Sequence, residues 1–277
     1  MRGSLGSGCE TEWVAVMAFV QPGDGALDYF PCHYGASRLA FRGPRRDLSG
    51  EYIAMLGGSE TYGRFVIAPF PALVEEGLGI PVANLGCQNA GPDVYLADRA
   101  ALEVAAGAHL AVVQITGAQN LTNRYYTVHP RRNDRFIAAT PLLRSLYREV
   151  DFTEIHFTRH LLAVLAAKGE ERFAPILAEL KTLWLQRMQA LLQRLPRRRV
   201  LLRMAGAEGF VDRGMVEALR PLASACVEVT ASPVALAEGV RGMRFCPSEE
   251  AAARDLPGAA AHREAAEALL PVIEGLL

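Results

Sequence analysis

The stretch YIAMLGGSETYG, residues 52–63, decides the fold. It begins as a short apolar run, breaks on Gly57 and Gly58, and then presents Ser59. An apolar run of this length that ends in a glycine turn predicts a buried parallel strand. The hydroxyl of Ser59 is therefore expected at the carboxyl end of a strand, the edge at which open α/β sheets bind ligands.

Outward from this stretch, apolar runs alternate with helical patterns. Five runs predict strands, at 52–56, 81–85, 109–116, 199–204 and 226–230. Helices are predicted at 70–79, 94–106, 170–195, 212–222 and 260–276. Short strands separated by helices predict a five-stranded parallel sheet covered on both faces, a flavodoxin-like α/β three-layer sandwich. Because the crossovers are right-handed, every strand-to-helix loop should lie at one edge.

Two segments depart from the alternation. Residues 1–50 are rich in Gly, Pro and Arg without sustained periodicity, which predicts an irregular N-terminal arm packed across a single domain at 51–277. Residues 121–168 interrupt the pattern in the middle of the chain. Long insertions of this kind in compact domains often carry function, so we expect a helical lid over the edge of the sheet.

The composition limits the classes of function. A hydrophobic content of 51% suits a full core, and a net charge of −1 gives no reason to expect nucleic acid or a membrane surface. No motif for a nucleotide, another cofactor or a metal is present, so none is expected. An odd number of unpaired cysteines favours small core residues over disulfides, and we expect a cytoplasmic protein. The cysteines are Cys9, Cys32, Cys87, Cys226 and Cys246.

Four motifs then resemble those of the SGNH/GDSL hydrolase superfamily, which comprises flavodoxin-like esterases, lipases and carbohydrate acyl-ester hydrolases. In order along the chain they are GGSET (57–61), NLGCQNAG (84–91), GAQN (117–120) and LPGAAAHREAAEAL (256–269). The resemblance covers roughly residues 50–120 and 198–277, which is the predicted sheet with its helices. It implies hydrolysis or transfer of an O-acyl ester, with a carbohydrate ester as the first candidate.

The resemblance also implies roles for individual residues. Ser59 stands at the position of the nucleophile, flanked by Gly58 and Glu60, which are expected to contact the substrate. The side chain of Asn120 and the backbone N–H groups of Asn89 and Ser59 match the donors that stabilise the oxyanion. Asn89 replaces a glycine of the family, and asparagine tolerates left-handed backbone better than most residues.

The general base is the element that departs from the family. The family's catalytic histidine position falls on Leu256, which cannot accept a proton. His262 is the candidate base if the loop folds back, although it could instead cap the last helix or face solvent, and His129 is the second candidate. Asp255 could at most orient another group. A second hypothesis is therefore a catalytically silent protein of this fold that binds a saccharide or an anionic metabolite, and a third is an assembly partner with an exposed apolar face.

The predicted lid carries the stretch YYTVHPRRNDRF, residues 125–136. Guanidinium groups suit carboxylate, phosphate or sulfate, so Arg124, His129, Arg131 and Arg132 are candidate contacts for an anionic or carbohydrate ligand. The alternative is a solvated loop with surface arginines.

The remaining histidine pair lies further along the predicted lid. His156 and His160 have the i, i+4 spacing of two residues on one helix face. No third ligand follows at a recognisable distance, which favours structural histidines over a metal site. Asp151 is predicted to cap the helix that would carry them.

Overall fold

The computed structural model describes residues 27–206 and 209–277, so Cys9 and the first half of the predicted arm lie outside the described residues. The described strands are β1 Ile53–Leu56, β2 Val82–Asn84, β3 Leu110–Gln114, β4 Tyr126–His129, β5 Arg132–Ala139, β6 Arg199–Met204 and β7 Ala225–Val229. The described α-helices are α1 Ser59–Tyr62, α2 Phe70–Leu78, α3 Pro92–Leu96, α4 Arg99–Gly107, α5 Pro141–Leu146, α6 Thr158–Ala166, α7 Glu170–Leu192, α8 Arg213–Leu219, α9 Pro233–Glu238, α10 Glu250–Arg254 and α11 Ala259–Glu274.

The central sheet has the strand order β2-β1-β3-β6-β7, and all of its pairs are parallel. The prediction of a flavodoxin-like five-stranded parallel sheet is therefore confirmed. Ala54 of β1 lies opposite Ala83 of β2 on one side and Ala111 of β3 on the other. This order makes the first three strands of the chain direct neighbours, with β1 in the middle.

Alternate residues of each strand face opposite layers, as the pleat requires. On one face Leu56 and Val113 share a core with Trp184 and Met188 of α7. On the other face the strands pack against α2 and α11. Each fully buried aliphatic side chain in these layers contributes about 1.5–3 kcal/mol to the stability of the fold. Because this burial is favourable, the apolar residues on each face of a strand decide which helices pack against that face.

Two predicted helices are shorter than the sequence indicated. The predicted helix at 94–106 is divided into α3 and α4, because the Asp98 side chain accepts a hydrogen bond from Ala101 N and starts a new helix. The predicted helix at 212–222 ends as α8 at Leu219, and a 3-10 turn containing Pro221 follows. Proline lacks the N–H that an α-helix needs in its interior.

The segment 121–168 is more than a helical insertion. It contains the antiparallel hairpin β4–β5, followed by α5, a 3-10 turn capped by Asp151, and α6. Its aromatic residues form a hydrophobic cluster of their own with the first half of α7, which includes Tyr126, Phe136, Tyr147, Phe173 and Ile176. The lid is thus anchored to α7 by buried apolar area, and the hairpin gives it a rigid edge.

The described part of the arm, residues 27–50, is held to the domain by buried side chains. Tyr34 and Phe41 are buried in the same core as β1 and α7. The Arg42 guanidinium donates to the backbone carbonyls of Tyr62, Gly63 and Ile67 around α1. The arm therefore supports the loop that follows the first strand.

Two further observations concern the described residues as a whole. The four cysteines that the structure describes, Cys32, Cys87, Cys226 and Cys246, are all free. Within residues 27–206 and 209–277, no helix has the length and apolar character needed to cross a bilayer.

Candidate active site

Three loops meet at the carboxyl edge of the sheet because their strands are neighbours. Ser59 follows β1, Asn89 follows β2 and Asn120 follows β3. Ser59 and Asn120 each form a hydrogen bond with Asn89. The polar residues that the sequence singled out after the first three strands therefore form one connected group.

The turn that carries Ser59 is held in place by hydrogen bonds to the side chain of Gln114, the last residue of β3. Gln114 Oε1 accepts hydrogen bonds from Gly58 N at 3.0 Å, Thr61 N at 3.2 Å and Thr61 Oγ1 at 2.6 Å. A Cβ atom on Gly57 would lie 2.4 Å from the same oxygen, so only glycine fits there. The sequence offered one signal for this role, a glutamine inside the otherwise apolar run of β3.

The predicted substrate contacts Gly58 and Glu60 are part of this turn. Gly58 N donates to Gln114, and Glu60 Oε2 accepts from Gln114 Nε2 at 2.8 Å. Glu60 also lines a cleft of about 500 Å³ beside α9 and α11, together with Asp255 and Leu256. In the free protein Gly58 and Glu60 therefore stabilise the serine turn through Gln114.

Asn89 is the centre of the hydrogen-bond network. Its N–H donates to Ser59 Oγ at 3.0 Å, and its Oδ1 accepts from the Ser59 hydroxyl at 3.2 Å. Its carbonyl oxygen accepts from Asn120 Nδ2 at 2.9 Å, and its Nδ2 donates to Asp134 Oδ2 at 3.2 Å. Asn89 has a φ of 55°, the left-handed conformation that asparagine adopts more readily than most residues.

Three residues with N–H donors, Ser59, Asn89 and Asn120, line one cleft, and the Asn89 N–H donates to the Ser59 hydroxyl. The Ser59 N–H forms no hydrogen bond with any residue that the structure describes, although the residue is only 5% exposed. The Asn120 amide is oriented by Thr158, whose hydroxyl donates to Asn120 Oδ1 at 2.7 Å. Together with the Asn89 N–H, these groups are of the type that stabilises negative charge on a tetrahedral intermediate.

Ser59 opens into a cleft of about 680 Å³ between the lid and the C-terminal part of the chain, which we call the serine cleft. Leu256, at the family's base position, lines it, and so does Asp255. The histidine on its wall is His160 of α6, which the sequence suggested only as a structural residue. The lid contributes Asp134, Phe157, Thr158, Arg159, His160 and Ala163.

Asp134 is a site residue that the sequence analysis missed. It lies on β5, within the arginine-rich stretch 125–136, and its carboxylate accepts a hydrogen bond from the Asn89 side chain. Burial raises the pKa of its carboxyl, while nearby Arg135 opposes the shift. A carboxylate with a raised pKa beside a serine network is a candidate for proton transfer.

His262, the first candidate for the base, occupies a different environment. It is 1% exposed, so it does not face solvent, and its Nδ1 accepts a hydrogen bond from Phe70 N at 3.1 Å. The ring stacks on Phe70, and burial lowers its pKa to about 3. Because Nδ1 accepts, the neutral ring carries its proton on Nε2 and has no free nitrogen to take one from a serine. This geometry is at odds with a role as general base.

The lid arginines divide between two places. His129, Arg131 and Arg132 line a cleft of about 960 Å³ that also contains Asn89, and we call it the arginine cleft. Arg124 instead pairs with Glu179 of α7 at 3.3 Å and stacks over Tyr125. It is not among the described residues that line either the serine cleft or the arginine cleft.

The proposed pairing of His156 and His160 on one helix face is wrong. α6 begins at Thr158, and His156 precedes it in extended chain next to the N-cap residue Phe157. Among residues 27–206 and 209–277, no group of three or more His, Cys, Asp or Glu side chains is arranged to hold a metal ion.

Comparisons with known proteins identify a family. A search of curated proteins and a search of solved structures each returned no match. The family model described as "Domain of unknown function (DUF6473)" matches residues 17–277, which is nearly the whole chain and includes every element of the site. The protein therefore belongs to the DUF6473 family.

Proposed function

We propose that this protein is a serine-dependent ester hydrolase or acyltransferase of the SGNH type, acting on an O-acyl ester with Ser59 as nucleophile. The observation that carries the proposal is a buried serine hydroxyl that accepts the Asn89 N–H at a cleft also lined by Asn120. The Asn89 N–H donates to Ser59 Oγ at 3.0 Å, the Ser59 N–H has no partner among the described residues, and Asn120 Nδ2, which donates one hydrogen to Asn89 O, has a second hydrogen to offer. Backbone and amide N–H groups next to a buried serine at a cleft are the arrangement that oxyanion stabilisation requires.

In the proposed reaction, Ser59 Oγ loses its proton to a base and forms a bond to the acyl carbon of the ester. The carbonyl electrons move to oxygen, and the resulting oxyanion accepts hydrogen bonds from the N–H groups of Ser59, Asn89 and Asn120. The tetrahedral intermediate collapses, the C–O bond to the alcohol breaks, and the base returns its proton to the alcohol. Water or a second hydroxyl then takes the acyl group from Ser59. Loss of one oxyanion donor typically lowers such rates by about 100- to 1,000-fold.

His160 is the first candidate for the base in this proposal. It lines the serine cleft from α6, and imidazole is the most frequent general base in enzymes. Asp134 is the second candidate, because burial raises the pKa of its carboxyl and it already contacts Asn89. In free enzymes, catalytic hydrogen bonds are often longer than in substrate complexes, so the lack of direct contact with Ser59 does not remove either candidate.

A second candidate function rests on a specific observation. Among the described residues, both hydrogen bonds of Ser59 Oγ are made with Asn89, and neither histidine nor carboxylate touches it. Leu256 lines the cleft at the family's base position. These features favour a catalytically silent protein that binds a saccharide or an anionic metabolite under the lid.

A fluorophosphonate probe distinguishes the enzyme from the catalytically silent protein, since it labels serines that are activated as nucleophiles. We expect labelling of the wild-type protein, loss in Ser59→Ala, and at least a 100-fold slower reaction in His160→Ala. His156→Ala is the matched control, because it removes an exposed histidine just outside α6. If Asp134→Asn reacts slowly with the probe while His160→Ala reacts at the wild-type rate, Asp134 is the base instead of His160. An unlabelled wild-type protein would refute the enzyme and support the silent protein.

A further inference from the structure

The arginine cleft adjoins the serine cleft, and the two share four lining residues, Arg64, Asn89, Asp134 and Phe157. Its arginines come from three separate parts of the chain. Arg38 belongs to the arm and Arg64 follows α1, while Arg131 lies in the turn of the lid hairpin and Arg132 begins β5. The two clefts therefore meet at Asn89, whose N–H donates to the Ser59 hydroxyl.

The hairpin turn that presents two of these arginines is held rigidly. His129 Nδ1 accepts from the backbone N–H groups of Arg131 and Arg132, both at 3.2 Å. The buried Asn133 donates from Nδ2 to His129 O at 3.0 Å and accepts at Oδ1 from Gly91 N at 3.2 Å. Asn133 thus ties the turn to the loop after β2, so the backbone of the two arginines is held next to the site.

The cleft carries a large excess of positive charge. Five arginines line it, and Asp134 is the one carboxylate among its described lining residues. Arg64 is balanced by Glu249 at 3.1 Å, and Arg135 lies over the Phe157 ring at 4.3 Å. In the part of the chain that the structure describes, the side chains of Arg38 and Arg131 form no hydrogen bond or ion pair, whereas the charge of Arg132 acts on Asp134 and opposes the raised pKa of that carboxyl. Even with Asp134 counted against them, the guanidinium groups of Arg38, Arg131 and Arg132 carry more positive charge than one carboxylate ligand would neutralise.

We propose that the arginine cleft binds a phosphate monoester dianion, and that the alcohol part of the ester substrate carries this phosphate. Guanidinium forks bind phosphate oxygens in pairs, and a phosphate monoester has a charge of about −2 near pH 7.5. Arg38, Arg131 and Arg132 hold the phosphate, while Arg64 and Asn89 lie between it and Ser59. The role in substrate recognition rests on the proposed function, whereas phosphate binding is a property of the cleft itself.

The test compares three ligands with the same sugar ring but different charge: glucose 6-phosphate, glucuronate and glucose. Binding is measured by titration calorimetry at pH 7.5 and constant ionic strength, because screening weakens exposed charge interactions. We expect glucose 6-phosphate to bind at least tenfold more tightly than glucuronate, and glucose not to bind measurably. Equal affinity for glucose 6-phosphate and glucuronate, or no binding of glucose 6-phosphate, would overturn the proposal.

Variants locate the binding. The double variant Arg131→Gln/Arg132→Gln and the single variant Arg38→Gln should each weaken the binding of glucose 6-phosphate, the double variant by at least tenfold. Their side chains are exposed, so the fold should persist, and circular dichroism verifies this. Arg213→Gln on α8 is the matched control and should change the affinity by less than twofold. Equal weakening by Arg213→Gln would assign the effect to general charge and contradict the site.

The same experiment keeps this inference separate from the proposed function. Ser59→Ala should bind glucose 6-phosphate as tightly as the wild-type protein does. Phosphate binding without fluorophosphonate labelling would leave the anion site standing and refute the enzyme. Labelling without phosphate binding would support the enzyme and refute the phosphate-bearing substrate.

Discussion

Burial of His262 makes a prediction about acid stability that is independent of any activity. The ordinary pKa of histidine is 6.5, and burial in the folded protein lowers the pKa of His262 to about 3. Between these two values the unfolded chain binds a proton that the folded protein does not. The stabilisation from keeping His262 neutral is therefore fully present above pH 6.5 and is lost as the pH falls toward 3.

The magnitude follows from the width of this window. One pKa unit corresponds to about 1.4 kcal/mol, so the whole window is worth about 5 kcal/mol. From pH 7.5 to pH 5, His262 alone should lower the free energy of unfolding by about 2 kcal/mol. Since domains of this size are stable by about 5–15 kcal/mol, such a loss is large enough to measure.

The perturbation is His262→Asn, whose Oδ1 can accept the hydrogen bond from Phe70 N but does not titrate. The assay is urea unfolding at pH 7.5, 6 and 5 for the wild-type protein and the variant. The variant is expected to be less stable at pH 7.5, because it loses the ring that stacks on Phe70. Between pH 7.5 and pH 5, however, it should lose about 2 kcal/mol less than the wild-type protein does.

The exposed residue His156 provides the control, since His156→Asn should leave the pH dependence of the wild-type protein unchanged. Equal losses in the wild-type protein and His262→Asn would refute the reasoning. That result would mean that burial does not lower the pKa of His262 in the folded protein.

Three further predictions concern the stability of the site, and urea unfolding at pH 7.5 measures each of them. Gln114→Leu should lower the free energy of unfolding by about 2–4 kcal/mol, because it leaves buried donors of the serine turn without an acceptor. Gly86→Ala should destabilise by about 1–3 kcal/mol, since its Cβ would lie 2.3 Å from Tyr62 N, a main-chain atom. Asn89→Gly should be more stable than Asn89→Ala by about 1 kcal/mol, because a φ of 55° strains alanine but not glycine.

Each of these predictions has its own control or opposing result. Gly50→Ala, where no atom lies within 4 Å of the added Cβ, should be nearly neutral beside Gly86→Ala. A Gln114→Leu variant as stable as the wild-type protein would show that the turn finds other acceptors. Equal stability of the two Asn89 variants would contradict the left-handed backbone at that residue.

The fold could be predicted from the sequence because buried parallel strands consist of short apolar runs that alternate with helical segments. The bounds of β6 agree with the predicted run at 199–204, and the other four sheet strands differ from their predictions by a few residues. The lid hairpin was missed because its pairing is irregular, with register shifts on both sides of Val128 that break the two-residue alternation. Local pattern is a weak guide wherever a strand is short and bulged.

The site residues also divide into those that the sequence pattern could predict and those that it could not. Ser59, Asn89 and Asn120 were recognisable because each follows a strand, and parallel strands bring such loops to one edge. Asp134 and Thr158 were not recognisable, since they reach the group from the lid. Their contacts with Asn89 and Asn120 span 45 and 38 residues of sequence, and nothing in a local pattern encodes them.

By itself, the sequence determined the layers, the sheet and the polar loops at its edge, because these depend on periodicity and on the direction of parallel strands. Only the tertiary structure decided which histidine meets which partner. His262 accepts its hydrogen bond from Phe70, 192 residues away, where α11 packs near the start of α2. Burial and hydrogen-bond partners set the proton on an imidazole, and both arise from contacts between elements that are distant in the chain.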